Sequence, residues 1–452
     1  MTTQDLRNRW VVCPNNHPNP EGSDWCGICS LPILDCDEEL ELLLKTLAGQ
    51  GQHVGLGRRN LFLGVGDQGQ RLVHDFYQRW GGRLRDSEFL LLELPGVTPQ
   101  RVDAGCEAAP ISMNGHSSLS RYHLSGASGR EVDCFGVGER LVSSDPGLTD
   151  RLLRSGAGVS IGNQTMFMLM ALGGGMASGA GPRILAQAKS LSHQGNSLVI
   201  AMMPGNSDLA RVHFAAYCSL SRLIKCDGTP PADMILLVDH DRLVLARGVG
   251  SGRTEVVGES ILSYLLAMLV GVTADRNSGL ADASYLAEMS RAMGIRSFTP
   301  CVAVGRSLEI FGSLTNILES AVSFPLGHVD KESVVLSLAL AQVPEGLTTP
   351  LQEEALNDEF NKWNRASFPH LKESVLQIAP SGEQSDRVSL CLLLGGTKLA
   401  VAAQRTGSGY ATFRALLEKG GWDQRFCATP KDLSEVEEAI DSYDNNLDEM
   451  RG

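Results

Sequence analysis

Four side chains near the start of the chain have the types and spacing of a metal site. Cys13, His17, Cys26 and Cys29 make the pattern C-x3-H-x8-C-x2-C. Thiolates and imidazole are the ligands zinc prefers. Four of them close a tetrahedron with no open position, so the chemistry implied is structural rather than catalytic. Pro14, Pro18, Asn19, Pro20 and Gly22 make the intervening chain turn-rich. So short a segment cannot bury a core and needs a staple to fold. Cys36 is an alternative ligand in an acidic setting beyond Pro32. The plain alternative is an arm with unligated thiols.

A different chemistry is written in glycine. The apolar run Asn60–Leu63 leads into Gly64-Val65-Gly66-Asp67-Gln68-Gly69-Gln70, then a helical stretch from Arg71 to Trp80. A strand feeding a glycine turn and a helix can cradle phosphate, because backbone approaches the anion and the helix start offers free N–H groups. With Glu93 at the end of a following strand, Glu88–Glu93, the same glycines also read as a dinucleotide fingerprint. A plain tight turn is the third reading. A second cluster follows another buried strand, Thr165–Leu172: Gly173-Gly174-Gly175-Met176-Ala177-Ser178-Gly179, then Ala180-Gly181-Pro182 and a helix through Lys189. A dinucleotide enzyme has no need of this second phosphate loop. Proline at the start of the helix costs nothing there, since its missing N–H has no partner in any case.

The second cluster resembles the G-G-G-T-G-T-G signature of the tubulin/FtsZ family. The resemblance runs from about Asn60 to about Gly396. Phe135-Gly136-Val137-Gly138-Glu139 is similar to the family's glycine loop near the terminal phosphate. Asp239-His240-Asp241-Arg242-Leu243 is similar to the segment at the guanine end of the site. Leu198–Met203 and Met234–Val238 read as buried strands, and Thr254–Ala274 as the long central helix. Ser313–Pro325, Glu332–Gln342 and Asp386–Gly396 resemble parts of the FtsZ second domain. The fold implied is α/β: a Rossmann-like nucleotide-binding domain plus an α+β second domain, with a small N-terminal segment that resembles a zinc ribbon. The ligand implied is GTP/GDP, with Mg2+ beside the phosphates. The assembly implied is a head-to-tail polymer of this chain with itself.

Departures from the family pattern fall at working positions. Met176 stands for a threonine, removing a hydroxyl worth roughly 0.5–1.5 kcal/mol as a net hydrogen bond. Ala177 stands for glycine, at about 1–2 kcal/mol if the backbone there is left-handed. Ser178 keeps the second hydroxyl. His240 replaces the asparagine that reads guanine, offering one donor and one acceptor where the amide offers two donors and an acceptor. The family's catalytic loop corresponds to Asn277-Ser278-Gly279-Leu280-Ala281-Asp282, with glycine at one acid position. Asn277 and Asp282 are then the catalytic candidates. A shift of two residues would place Ala281 and Ser284 at the acid positions instead. The bland reading makes Asn277 a turn residue and Asp282 a helix cap.

The elements that must position these residues suggest six segments: the metal ribbon 1–34, a linker helix 35–57, the nucleotide domain 58–253, the central helix and catalytic loop 254–290, the second domain 291–400, and an acidic extension 401–452. The net charge of −13, from 39 basic and 52 acidic residues, argues against nucleic acid or an anionic membrane. Met1–Arg9 lacks the apolar core of a signal peptide. Ile261–Val272 is too short to span a bilayer, which needs about 20 residues, so a cytoplasmic protein is expected. Cysteines set singly in apolar runs, such as Cys301 and Cys391, read as buried thiols. Leu433–Met450 reads as an acidic helix, either solvated or a docking tail. A protein partner is expected at the ribbon or at this tail. Two further readings stay open: a non-hydrolysing scaffold, and a dinucleotide-dependent oxidoreductase.

Overall fold

A computed structural model of the protein describes residues 10–12, 18–20, 60–81, 84, 87–93, 111–113, 117–123, 134–150, 165–191, 195–245, 254–271, 283–380, 386–420 and 430–451. Cys13, His17, Cys26 and Cys29, the linker 35–57, and Asn277 and Asp282 lie outside them. Near the start, β1 (Trp10–Val12) and β2 (Pro18–Pro20) pair antiparallel. By its internal contacts the chain divides into two units. The parallel-sheet unit comprises Leu56–His240, Ala283–Phe298 and Gly395–Gly452; the second unit comprises Met1–Gly55, Asp241–Asp282 and Thr299–Leu394.

The parallel-sheet unit opens with β3 (Asn60–Val65), α1 (Gly66–Trp80) and β4 (Ser87–Glu93). After β5 (Ile111–Met113) and β6 (Ser117–His123) come α2 (Phe135–Ser143), β7 (Thr165–Ala171) and α3 (Met176–Leu191). Next are β8 (Asn196–Met203), α4 (Ala210–Ile224) and β9 (Met234–Asp239). The strand order is β5-β6-β4-β3-β7-β8-β9, parallel except for β5 on β6. All eight residues of β8 are buried, as strands covered on both faces require. Three phenylalanines fix the register across the middle strands. Phe62 lies opposite both Phe89 and Phe167, and its ring stacks on theirs at 4.8 and 5.0 Å between centroids.

His240 starts α5 (His240–Leu245), and α6 (Thr254–Gly271) follows, buried from Leu262 to Val270. Then come α7 (Ala283–Met293) and β10 (Ser297–Ser307), whose first residues pair with β9 in the parallel-sheet unit. In the second unit lie α8 (Leu308–Phe311), α9 (Leu314–Ser323), β11 (Leu336–Val343), α10 (Pro350–Ser367), β12 (Glu373–Pro380) and β13 (Arg387–Gly395). Its strand order is β12-β11-β13-β10, with β11 and β12 parallel. Its core joins Leu390, Leu392 and Leu394 of β13 to Ile317, Phe360 and Trp363 of the helices.

The chain closes with α11 (Leu399–Ala402), α12 (Gln404–Gly420) and α13 (Pro430–Arg451). The acidic helix α13 is not a solvated rod. Leu433, Val436, Ile440, Tyr443 and Leu447 recur at helical spacing and are buried. Leu433 and Val436 pack with Phe214 of α4 and Tyr410 of α12. The Tyr443 hydroxyl accepts the Arg296 and Ser297 amides at 2.9 and 3.0 Å. Asp444 accepts the Leu399 and Ala400 amides at 2.7 and 2.8 Å, capping α11. Cys226, Cys301 and Cys391 are buried thiols. Burial pushes Cys226 up to about 11 and Cys301 up to about 12. No described helix is long and apolar enough to cross a membrane.

Candidate functional site

Strands β3 and β7 are neighbours, yet the chain leaves them in opposite directions across the sheet. From β3 it crosses through α1 to β4; from β7 it crosses through α3 to β8. In open parallel sheets the crevice at such a reversal, at the carboxyl ends of the strands, is where ligands bind. Both glycine clusters lie there, and each ends in a helix start. The first-turn amides of α1 belong to Gly66, Asp67 and Gln68, and no side chain caps them. A helix start without a side-chain cap, at the edge where a second helix also begins, favours an anion.

The glycines divide into two kinds. Gly64 and Gly69 serve packing: a Cβ on Gly69 would lie 2.2 Å from the Leu169 carbonyl oxygen, and one on Gly64 would lie 2.6 Å from that of Gly69. They bring α1 down onto β7. Gly66 and Gly175 hold positive φ, 72° and 58°, the left-handed turns that bend each strand into its helix. Gly174 is different again. It is exposed, and a Cβ there would meet only the Ala171 carbonyl oxygen at 3.2 Å and the Ala177 Cβ at 3.7 Å. The amides of Gly174 and Gly175 bond back to Ala171 and Gly173 and stiffen the turn. The two loops touch, since a Cβ on Gly66 would come within 2.7 Å of the Ala177 Cβ.

Several sequence expectations change. Ser178 is buried and donates its hydroxyl to the Leu172 carbonyl, so it ties the loop to its strand instead of facing a ligand. Met176 is likewise buried. Ala177 carries no left-handed strain, because it sits in the first turn of α3. Gly136 and Gly138 are in helix α2 rather than a loop, and both are buried. A Cβ on Gly138 would lie 2.0 Å from the Met176 carbonyl oxygen, and one on Gly179 would lie 2.0 Å from that of Phe135. These glycines let α2 and α3 touch backbone to backbone. Gln68 and Gln70 are half-buried on α1, and Asp67 is exposed in its first turn. The Glu93 side chain lies outside what is described.

The same edge continues along β8 and β9. Gly173 abuts Val212 in the first turn of α4, where a Cβ would lie 2.3 Å from Val212 Cγ1. Beside that turn is a polar cavity of ≈ 290 Å³ lined by Asn206, Asp208 and His213 of the α4 start and Ser408 and Thr412 of α12. His213 is buried, and among the described residues its Nδ1 has no hydrogen-bond partner. This cavity went unread in the sequence, although the polar run Pro204–Asp208 after a buried strand marks its place. His240, half-buried, stands at the carboxyl end of β9 on the same edge. Among the described residues, no group of three or more His, Cys, Asp and Glu side chains could hold a metal ion.

No family model matches the chain, and no curated protein sequence does. Solved structures do. CetZ from Methanosaeta thermophila strain DSM 6194 matches with a TM-score of 0.59 at 15% identity, over 87% of this chain and 98% of that one. An FtsZ mutant from M. jannaschii gives 0.56 at 13%, over 80% and 95%. CetZ2 from Haloferax volcanii, solved as a GTPgS-bound protofilament, gives 0.55 at 16%, over 80% and 99%. The chain therefore has the mixed α/β, largely parallel fold of the FtsZ and tubulin type.

Proposed function

We propose that this chain is a tubulin-like cytoskeletal protein that binds a purine nucleotide, GTP, and assembles head to tail. The observation that carries the reading is the start of α1, with no side-chain cap, beside the glycine turn that opens α3, where the sheet reverses direction. The residues present fit a nucleotide. Gly174 leaves exposed space where backbone and phosphate must meet, and Asn206, Asp208 and His213 supply polar groups for the nucleoside further along the edge. Asp67 opposes an anion directly, so Mg2+ beside the phosphates belongs to the reading. Two solved structures similar to this chain hold a guanine nucleotide, CetZ2 from Haloferax volcanii with GTPgS in a protofilament and CetZ1 from the same organism with GDP as a monomer, which supports the same reading.

In this proposal Asn277 and Asp282 come from one subunit to the nucleotide of the next, and turnover is slow. With Gly279 at an acid position the chain lacks one of the family's groups, and a missing base typically costs about 10²–10⁴ in rate. The ribbon, with zinc on Cys13, His17, Cys26 and Cys29, is proposed as the site for a protein partner. Elemental analysis comparing the intact chain with Cys26→Ser tests the zinc, and equal zinc in both ends that assignment.

One experiment tests the central reading: denature the purified protein and identify the nucleotide released, for the wild type and for Gly174→Val. Guanine nucleotide from the wild type and none from the variant is the expected result. A released dinucleotide would instead support an oxidoreductase, and no nucleotide would support a scaffold. Phosphate release above and below the assembly concentration tests turnover, with Asp282→Ala beside it.

A further inference from the structure

The opposite, amino edge of the parallel sheet carries a cavity of ≈ 650 Å³. It lies where β9 and β10 begin, between the ends of α4 and α7 and one face of α13. A strand of six residues separates the two edges by about 20 Å, so this is not the glycine site. Three cations line it, Lys225, Arg291 and Arg296, against one carboxylate, Glu449. That is a local excess of positive charge in a chain of net charge −13.

The three cations are not equally committed. Arg291 donates to buried Asp233 at 2.9 Å and also to Asn196. Lys225 lies 3.9 Å from Glu438. Arg296 is half-buried, and among the described residues its guanidinium has no hydrogen bond or ion pair. Burial holds it below the ordinary arginine value, against upward pulls from Tyr443 and Asp233, with Arg291 adding a smaller push down. A half-buried guanidinium without a partner is costly, and its planar fork matches a carboxylate or phosphate. Around it are apolar surfaces: Ala439, Tyr443, and Met293 and Met450, whose flexible thioethers adapt to a ligand's shape. The volume falls in the usual range for small-molecule sites, about 300–1,000 Å³.

We propose that this groove is a second ligand site, taking a small organic anion that offers a carboxylate or phosphate to Arg296 and an apolar body to the two methionines. The test is calorimetric titration of the full chain with naphthoate, naphthyl phosphate and neutral naphthylmethanol. At least one anion binds and the alcohol does not; which anion binds more tightly tells carboxylate from phosphate. Arg296→Gln weakens the anion about tenfold or more, the worth of a charged hydrogen bond. Ala439→Trp, which fills the groove, also weakens it. Gly174→Val leaves it unchanged, which separates this site from the nucleotide loops. Circular dichroism and the thermal midpoint verify that each variant folds. Binding of the alcohol as tight as the anions, wild-type binding by folded Arg296→Gln, loss in Gly174→Val, or no binding of either anion at millimolar concentration would each overturn the proposal.

Discussion

The glycine loops at one edge of the parallel sheet and Asp233 at the other handle polar groups in opposite ways. At the carboxyl edge, the start of α1 has no side-chain cap and Gly174 is exposed. At the amino edge, Asp233 is 2% exposed and its carboxylate is surrounded by donors. It accepts Lys189 at 2.6 Å, Arg291 at 2.9 Å, and the Ser197 amide and hydroxyl at 3.0 Å each. Asp233, completed from within, holds elements in register; Gly174 on the carboxyl edge, like Arg296 on the amino edge, is left for a ligand. Burial pushes the Asp233 carboxyl up, but the Arg291 hydrogen bond and the charge and hydrogen bond of Lys189 outweigh it and hold it below the usual value. Burial also lowers Lys189, and Asp233 offsets only part of that.

If the contrast is right, the largest loss of stability comes from Asp233→Ala, which strands Lys189 and Arg291. Removing one partner of a buried pair costs about 3 kcal/mol or more, read from urea unfolding. A loss under about 1 kcal/mol would break the contrast. Because the folded carboxyl titrates below its ordinary 3.8, its contribution is full above that pH and fades as pH falls through the folded value. The gap between wild type and variant should thus hold from neutral pH down to about 5 and close in stronger acid.

Next in size, Gly69→Val drives a side chain into the Leu169 carbonyl and should cost about 2–3 kcal/mol. Gly174→Val, exposed but with the Ala171 carbonyl oxygen 3.2 Å from the new Cβ, should cost less than about 1 kcal/mol. Equal losses in the two variants would show that both glycines serve packing. A smaller effect is expected of His240→Asn, which should raise the preference for GTP over ATP in competition binding by about tenfold. A thousandfold preference already present in the wild type would mean that another group reads the base. Smallest is Asp67→Asn, which removes a negative charge from the start of α1. It should tighten nucleotide binding without Mg2+ by about two- to fivefold, and weaker binding would assign Asp67 a direct contact.

The elements of the candidate site were legible because strand, glycine turn and helix start are local features. The apolar runs that became β3, β7, β8 and β9 carry their own signature. What each glycine does was not legible. Gly138 and Gly174 look alike in the sequence, and only the approach of α3 makes one a packing necessity and leaves the other open. Ser178 failed for the same reason: its hydroxyl could face the ligand or the Leu172 carbonyl, and tertiary position decides. The apolar stripe of α13 was present at Leu433, Val436, Ile440, Tyr443 and Leu447, but the acidic residues between them drew attention to its solvent face.

Tyr443 has a consequence for the order of events during synthesis. The amide it accepts from Arg296 was made 147 residues earlier. Until the ribosome has delivered α13, the start of β10 lacks that acceptor and Phe214 and Tyr410 lack part of their cover. The parallel-sheet unit therefore cannot finish folding as an amino-terminal domain while the rest is translated. Its closing step follows the synthesis of Asp241–Asp282 and Thr299–Leu394, the parts of the second unit that interrupt it.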